Sequence, residues 1–320
     1  MCERVRRVGG GSIGDRGSRT ARNKRVQPLQ ESVDEYKKAE GNAGKDIKVV
    51  SFSNAIWKDL ERISMPRHKV VVINFESLLT SIRLHMPESL LKATEAEVPR
   101  LDDVLQDLNG FVGTQTESGA RVFINQWLIA VKRILRNEFA AFVWTELCLS
   151  SASAQPVHIE EDNQTTFLTG VIDYGLASMR ITMVEEEETV MQQRISIMNE
   201  LQTKRIVGVF GQHRVTFVII EAKNDRERLE THIPQVALQC VALEEEWTEG
   251  GSKIVAFCLA NSKRWMFGVV DRVSGRIFHT KEQNVTQDLL QILLGLVFWA
   301  SNSSQDILIT ILLAIKACVQ

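Results

Sequence analysis

Residues 215–224 have the sequence VTFVIIEAKN, an apolar and largely β-branched run that ends in a carboxylate, a small residue and a lysine. A run of this length and composition predicts a buried β-strand. Because side chains alternate faces along a strand, Glu221 and Lys223 are expected on one side and Ala222 on the other. Burying an acid and a base on one face is costly unless a site uses them. The stretch therefore predicts a site in which Glu221 holds a divalent metal beside Lys223.

A second acid for this site is expected from a strand further upstream. Residues 168–175, LTGVIDYG, form a short apolar strand candidate whose one acid is Asp173. Downstream, Gln235 stands at the start of a segment with the apolar spacing of a helix. From spacing alone, a simpler explanation remains open: Glu221 and Lys223 form an ordinary strand-end ion pair, and Asp173 caps a turn.

An Asp, then Glu-x-Lys, then a helix carrying Gln resembles the PD-(D/E)XK nuclease superfamily, and in particular its fungal members. The resemblance covers about residues 114–300 and has four pieces in the order of the family. These are the helix start ESGAR at 117–121, the strand TGVIDY at 169–174, the helix IPQVALQ at 233–239 and the hairpin NSKRWMF at 261–267. Two departures are Ile172 in place of the motif's proline, and Gln239, where some relatives have another residue type.

The resemblance implies a restriction-endonuclease-like α/β fold, with a mixed sheet of four or five strands flanked by helices. It also implies that Asp173 and Glu221 bind Mg²⁺ or Mn²⁺, with the carbonyl of Ala222 as a further ligand. Lys223 would orient or help to deprotonate the attacking water. By the same resemblance, Gln235 steadies substrate or water, and Glu117 is an outer auxiliary acid.

The expected activity is divalent-metal-dependent hydrolysis of phosphodiester bonds in DNA or RNA. The alternative is a catalytically silent module of the same fold that binds nucleic acid or a protein partner. A metallohydrolase acting on small molecules is a third, more remote hypothesis. The net charge of −2 gives no general nucleic-acid signature, so any attraction for phosphate is expected from local patches.

Composition and periodicity divide the chain into three parts. Residues 1–45 are rich in Gly, Ser and Arg and are predicted to be a disordered basic arm. Residues 46–113 are predicted to be a helical N-terminal extension, and 114–320 the nuclease-like domain. This domain is interrupted at 184–206 by an acidic helical insert, which lengthens the connection between Asp173 and Glu221.

Individual elements can also be predicted. Apolar spacing predicts one helix over about 122–149, and residues 157–160 are predicted to be the first strand of the sheet. Residues 69–74 fit either a strand or the start of a helix. Two apolar segments, 289–300 and 307–315, are each shorter than the ~20 residues of a membrane span, so buried C-terminal helices are expected.

The cysteines and the N-terminus indicate the compartment. The five cysteines are scattered, and none has zinc-ligand spacing, so free thiols in a reducing compartment are expected. The basic N-terminus is not followed by the apolar segment of a secretory signal. The sequence therefore predicts an intracellular protein of the nucleus or cytoplasm that is not secreted and has no membrane partner.

Overall fold

The computed structural model describes residues 31–38, 44–148, 157–161, 163–180, 215–246 and 253–317. This part of the chain is a mixed α/β structure. Its helices are α1 (31–38), α2 (Trp57–Glu61), α3 (Phe75–His85), α4 (Glu88–Asn109), α5 (Glu117–Leu135), α6 (Ile233–Glu246), α7 (Val285–Ser301) and α8 (Ser304–Ala317). Its strands are β1 (Asp46–Ser51), β2 (Val70–Ile73), β3 (Phe139–Cys148), β4 (Val157–Glu161), β5 (Gln164–Thr169), β6 (Val171–Arg180), β7 (Val215–Ala222), β8 (Ile254–Ala260), β9 (Arg264–Asp271), β10 (Arg276–Thr280) and β11 (Gln283–Asn284).

Within the described ranges, eight strands form a main sheet in the order β2-β10-β9-β8-β7-β6-β3, with β11 paired to β9. Strand β6 is antiparallel to both of its neighbours, β3 and β7, whereas β8 is parallel to β7 and follows it through α6. Strand β7 therefore lies near the middle of the sheet. A separate sheet of three strands has the order β1-β5-β4.

Two apolar cores cover the two faces of the main sheet. Val218 and Ile220 of β7 pack into the core formed with α3, α4, α5, α7 and α8. Phe217 and Ile219 point to the opposite core, which contains α2, α6 and the three-stranded sheet. Full burial of a Val or Ile side chain contributes about 1.5–3 kcal/mol, so this alternation fixes the face on which Glu221 and Lys223 emerge.

The structure corrects the prediction of one helix over 122–149. Helix α5 ends at Leu135, and β3 begins at Phe139 and pairs with β6. The run FAAFVWTELC is rich in aromatic and β-branched residues, and such residues favour a strand once a partner strand is available. Residues 157–160 are a strand, as predicted, but they belong to the three-stranded sheet, and β3 is the strand that pairs with β6 in the main sheet.

Segment 46–113 is not entirely helical. It contains β1, which joins the three-stranded sheet, and β2, which forms an edge of the main sheet parallel to β10. Residues 69–74 contain both a strand and a helix start, the two alternatives that were predicted. Strand β2 ends at Ile73, and Asn74 then caps α3 by accepting a hydrogen bond from the Ser77 amide at 3.0 Å. The main sheet has eight described strands, more than the four or five that were predicted, and β2 is one of the additional strands.

The two ends of the chain also differ from expectation. Residues 31–38 of the predicted disordered arm form α1, where Val33 is buried and Tyr36 donates a hydrogen bond to Glu160. Residues 1–30 and the predicted acidic insert at 184–206 lie outside the described residues. Helix α7 is buried as predicted, but α8 exposes three apolar side chains, at Ile309, Leu312 and Leu313. None of the described helices is long and apolar enough to cross a membrane.

Candidate active site

The site residues come together where β6 and β7 lie side by side. The register pairs Tyr174 with Ile220, which places Asp173 of β6 next to Glu221 of β7. Lys223 directly follows β7, and its backbone amide donates to the carbonyl of Ala260 at 2.8 Å. The side chains of Asp173, Glu221 and Lys223 are all buried, with residue exposures of 6%, 3% and 6%. Two acids and one base are thus taken out of water within one small region.

Three donors surround the carboxylate of Glu221. The Nζ of Lys223 donates to Oε1 at 2.8 Å, and the amide of Gln235 donates to the same oxygen. Gln239 donates its Nε2 to Oε2 at 2.8 Å. Gln235 and Gln239 are four residues apart and therefore lie on the same face of α6. A buried carboxylate is costly unless it is paired and hydrogen-bonded, and this set of donors satisfies both conditions.

Asp173 has two partners and a perturbed pKa. The backbone amide of Ala222 donates to Oδ2 at 2.8 Å, and the guanidinium of Arg121 donates to Oδ1. Burial, followed by the negative charge of Glu221, raises the pKa of Asp173 to about 7, against the lowering effects of Ala222 and Arg121. Loss of hydration is therefore the main cause of this shift, and the neighbouring carboxylate adds to it.

Arg121 connects Asp173 to two further acids. Its Nη2 also donates to Glu117 Oε1 at 2.8 Å, and its Nη1 donates to Glu146 Oε1 at 3.4 Å. The register of β3 on β6 places Glu146 opposite Asp173, and Glu146 has a left-handed backbone with φ of 55°. Residues other than glycine rarely adopt this conformation. Two cations, Arg121 and Lys223, thus pair with four acids: Glu117, Glu146, Asp173 and Glu221.

The structure joins Glu221, Lys223 and Gln235 in one hydrogen-bonded network and places Asp173 beside it on the adjacent strand β6. Glu117 reaches Asp173 only through Arg121, and Ala222 contributes its backbone N–H to Asp173. Three residues of the site were not among the predicted site residues: Arg121, Glu146 and Gln239. The spacing of Gln239 four residues after Gln235 was a usable signal. No comparable signal existed for Glu146, because its segment was predicted to be helical.

The donor chemistry at the two carboxylates suits a hard divalent cation. Asp173 and Glu221 supply oxygen ligands, and each oxygen of Asp173 accepts a single protein hydrogen bond, which leaves a second lone pair. Among the described residues, no group of three or more His, Cys, Asp or Glu side chains has the arrangement of a metal site. If a Mg²⁺ or Mn²⁺ ion binds here, these two carboxylates would hold it and water would complete its shell, as is common for Mg²⁺.

Comparison with known proteins does not assign a function to this site. The chain matches no protein-family model, and no curated protein is significantly similar to it.

Proposed function

We propose that this protein is a phosphodiesterase that cleaves DNA or RNA and depends on Mg²⁺ or Mn²⁺. The observation that carries the proposal is the buried pair of Asp173 and Glu221 on adjacent strands, with Lys223 bonded to Glu221. The pKa of Asp173, raised to about 7 by burial and by Glu221, supports a site that is completed by an added cation. An ordinary structural ion pair has no need for a second buried carboxylate beside it.

Each residue has a role that follows from its contacts. A divalent cation at Asp173 and Glu221 would supply Lewis-acid activation of a water and of the scissile phosphate. Lys223 would orient the attacking water and stabilise the negative charge that develops on the phosphate. Gln235 and Gln239 hold Glu221 in one orientation from the same face of α6. The network is therefore organised before substrate arrives.

The order of elements along the chain supports the restriction-endonuclease-like fold that the sequence resemblance implies. Glu117 opens α5, Asp173 lies on β6 and Gln235 lies in the first turn of α6. Residues 261–267 span the turn from β8 to β9. Each of the four similar pieces thus falls on the kind of element that the family would require.

A second candidate function is a catalytically silent module that binds nucleic acid or a protein partner. One observation favours it: every oxygen of the two buried carboxylates already accepts a hydrogen bond from the protein. A network of this kind is stable without a metal. In that case, the four acids and two cations would stabilise the fold and would have no catalytic role.

A cleavage assay separates the two candidates. Single- and double-stranded DNA and RNA are incubated with the protein in Mg²⁺, in Mn²⁺ and in EDTA. We expect metal-dependent cleavage that is lost in Glu221→Gln and retained in Glu88→Gln. The control removes a surface acid paired with Lys92. Binding without cleavage of any substrate would support the silent module and contradict the enzyme.

A further inference from the structure

We propose that Arg121 competes with the divalent cation for Asp173 and, once displaced, binds a phosphate group of the nucleic acid. This inference rests on the proposed function, because it concerns the same carboxylate. Asp173 has two hydrogen-bonding partners, the backbone amide of Ala222 on Oδ2 and Arg121 on Oδ1. The amide is fixed within β7, so the guanidinium is the partner that can move.

The other contacts of Arg121 are suited to its release. Its side chain is 27% exposed, and its remaining partners Glu117 and Glu146 are 46% and 73% exposed. Ion pairs between exposed groups are weak, typically about 0–1 kcal/mol. The Nε of Arg121 is buried without a partner among the described residues. The contact with Asp173 is therefore the main restraint on the guanidinium.

Charge repulsion makes the competition unavoidable. A divalent cation bound to Asp173 would lie within a few ångströms of the guanidinium, and like charges at such distances repel strongly outside bulk water. The free guanidinium offers a planar fork of donors that matches two oxygens of a phosphate. Arg121 would then remain near the site but exchange a carboxylate partner for a substrate phosphate.

Calorimetric titration of Mg²⁺ and Mn²⁺ into the wild type and Arg121→Gln tests the first step. We expect about ten-fold tighter binding in the variant, since it removes the repelling charge. Arg133→Gln is the matched control, because Arg133 lies on the same helix about 18 Å away and pairs with Glu97. Equal or weaker binding in Arg121→Gln overturns the inference while leaving the metal site intact. If neither protein binds metal, the proposed function fails together with it.

Two further measurements complete the test. In a Lys223→Ala background, which is expected to cleave slowly, adding Arg121→Gln should weaken oligonucleotide binding in Mg²⁺ by about five-fold. Unchanged affinity would overturn the phosphate-binding step. If Arg121→Gln fails to fold, displacement can be tested by ¹⁵N NMR of the arginine side chains in the wild type. The Arg121 signal is assigned by its loss in Arg121→Lys. An Arg121 Nε resonance that does not shift at saturating Mg²⁺ would contradict displacement.

Discussion

Gln239 donates its side-chain amide to the carboxylate of Glu221 at 2.8 Å, from one helical turn beyond Gln235. The same Nε2 donates to the carbonyl of Val171 at 3.3 Å, so a single amide ties α6 to the ends of both β6 and β7. Its Oε1 is buried and has no partner among the described residues. An acceptor left unsatisfied in this way is expected where a water or ligand completes the site.

The first prediction concerns this amide. Replacing Gln239 with Leu removes both hydrogen bonds and leaves Glu221 Oε2 without a donor. We expect the free energy of unfolding to fall by about 1–3 kcal/mol and metal affinity to fall with it, because Glu221 is no longer held in place. Chemical denaturation and calorimetry measure the two effects. A loss of stability with unchanged metal affinity would limit Gln239 to a structural role.

The second prediction concerns pH. The pKa of Asp173 in the folded chain is about 7, above its ordinary value of 3.8. The folded state therefore holds this proton more tightly than the unfolded state, and stability should decrease as pH rises from about 4 through 7. Because other groups titrate in the same range, the comparison is between the wild type and Asp173→Asn. Unfolding in urea at pH 5 and pH 8 should show a larger loss in the wild type. An equal loss in both proteins would contradict the assignment.

Added Mg²⁺ should reduce the loss of stability that Asp173 causes between pH 5 and pH 8. A cation at the site favours the ionised form of Asp173, so its folded-state pKa should fall toward or below the ordinary value. The same urea experiment repeated in Mg²⁺ measures this change. Persistence of the full wild-type slope in saturating Mg²⁺ would mean that the cation binds elsewhere.

The third prediction separates rate from binding at Lys223. Lys223→Ala leaves both carboxylates in place but removes the cation that would face the attacked phosphate. We expect the rate to fall by about 10²–10³, with a smaller change in metal affinity. Lys263→Ala is the control, because Lys263 is exposed and pairs with Asp225 near the site. A rate that follows metal affinity in proportion would contradict a separate role for Lys223.

The sequence was sufficient for the elements whose pattern is local. The run at 215–224 predicted a buried strand, and β7 over Val215–Ala222 confirms it, as the pairing of β8 with β9 confirms a hairpin at 261–267. These segments have a single periodicity and clear boundaries. The coarse class of mixed α/β structure, which the family resemblance implied, is also observed.

Pairing between distant segments could not be predicted in the same way. The run at Phe139–Cys148 fits a strand only because β6 is present as its partner, and no local signal marks that pairing. The contact of Arg121 with Asp173 could not be predicted for the same reason, since the two residues are 52 positions apart in the sequence. The spacing of four residues indicated the ion pair of Arg121 with Glu117, but no spacing indicated its contact with Asp173 on β6.

Metal binding at Asp173 and Glu221 is the central claim, and one calorimetric comparison tests it most directly. Mn²⁺ is titrated into the wild type and into Glu221→Gln, with circular dichroism to verify that both are folded. We expect saturable binding to the wild type and a loss of about ten-fold or more in the variant, because the amide removes the anion that holds a hard cation. No binding to the wild type, or equal binding to both proteins, would contradict the claim.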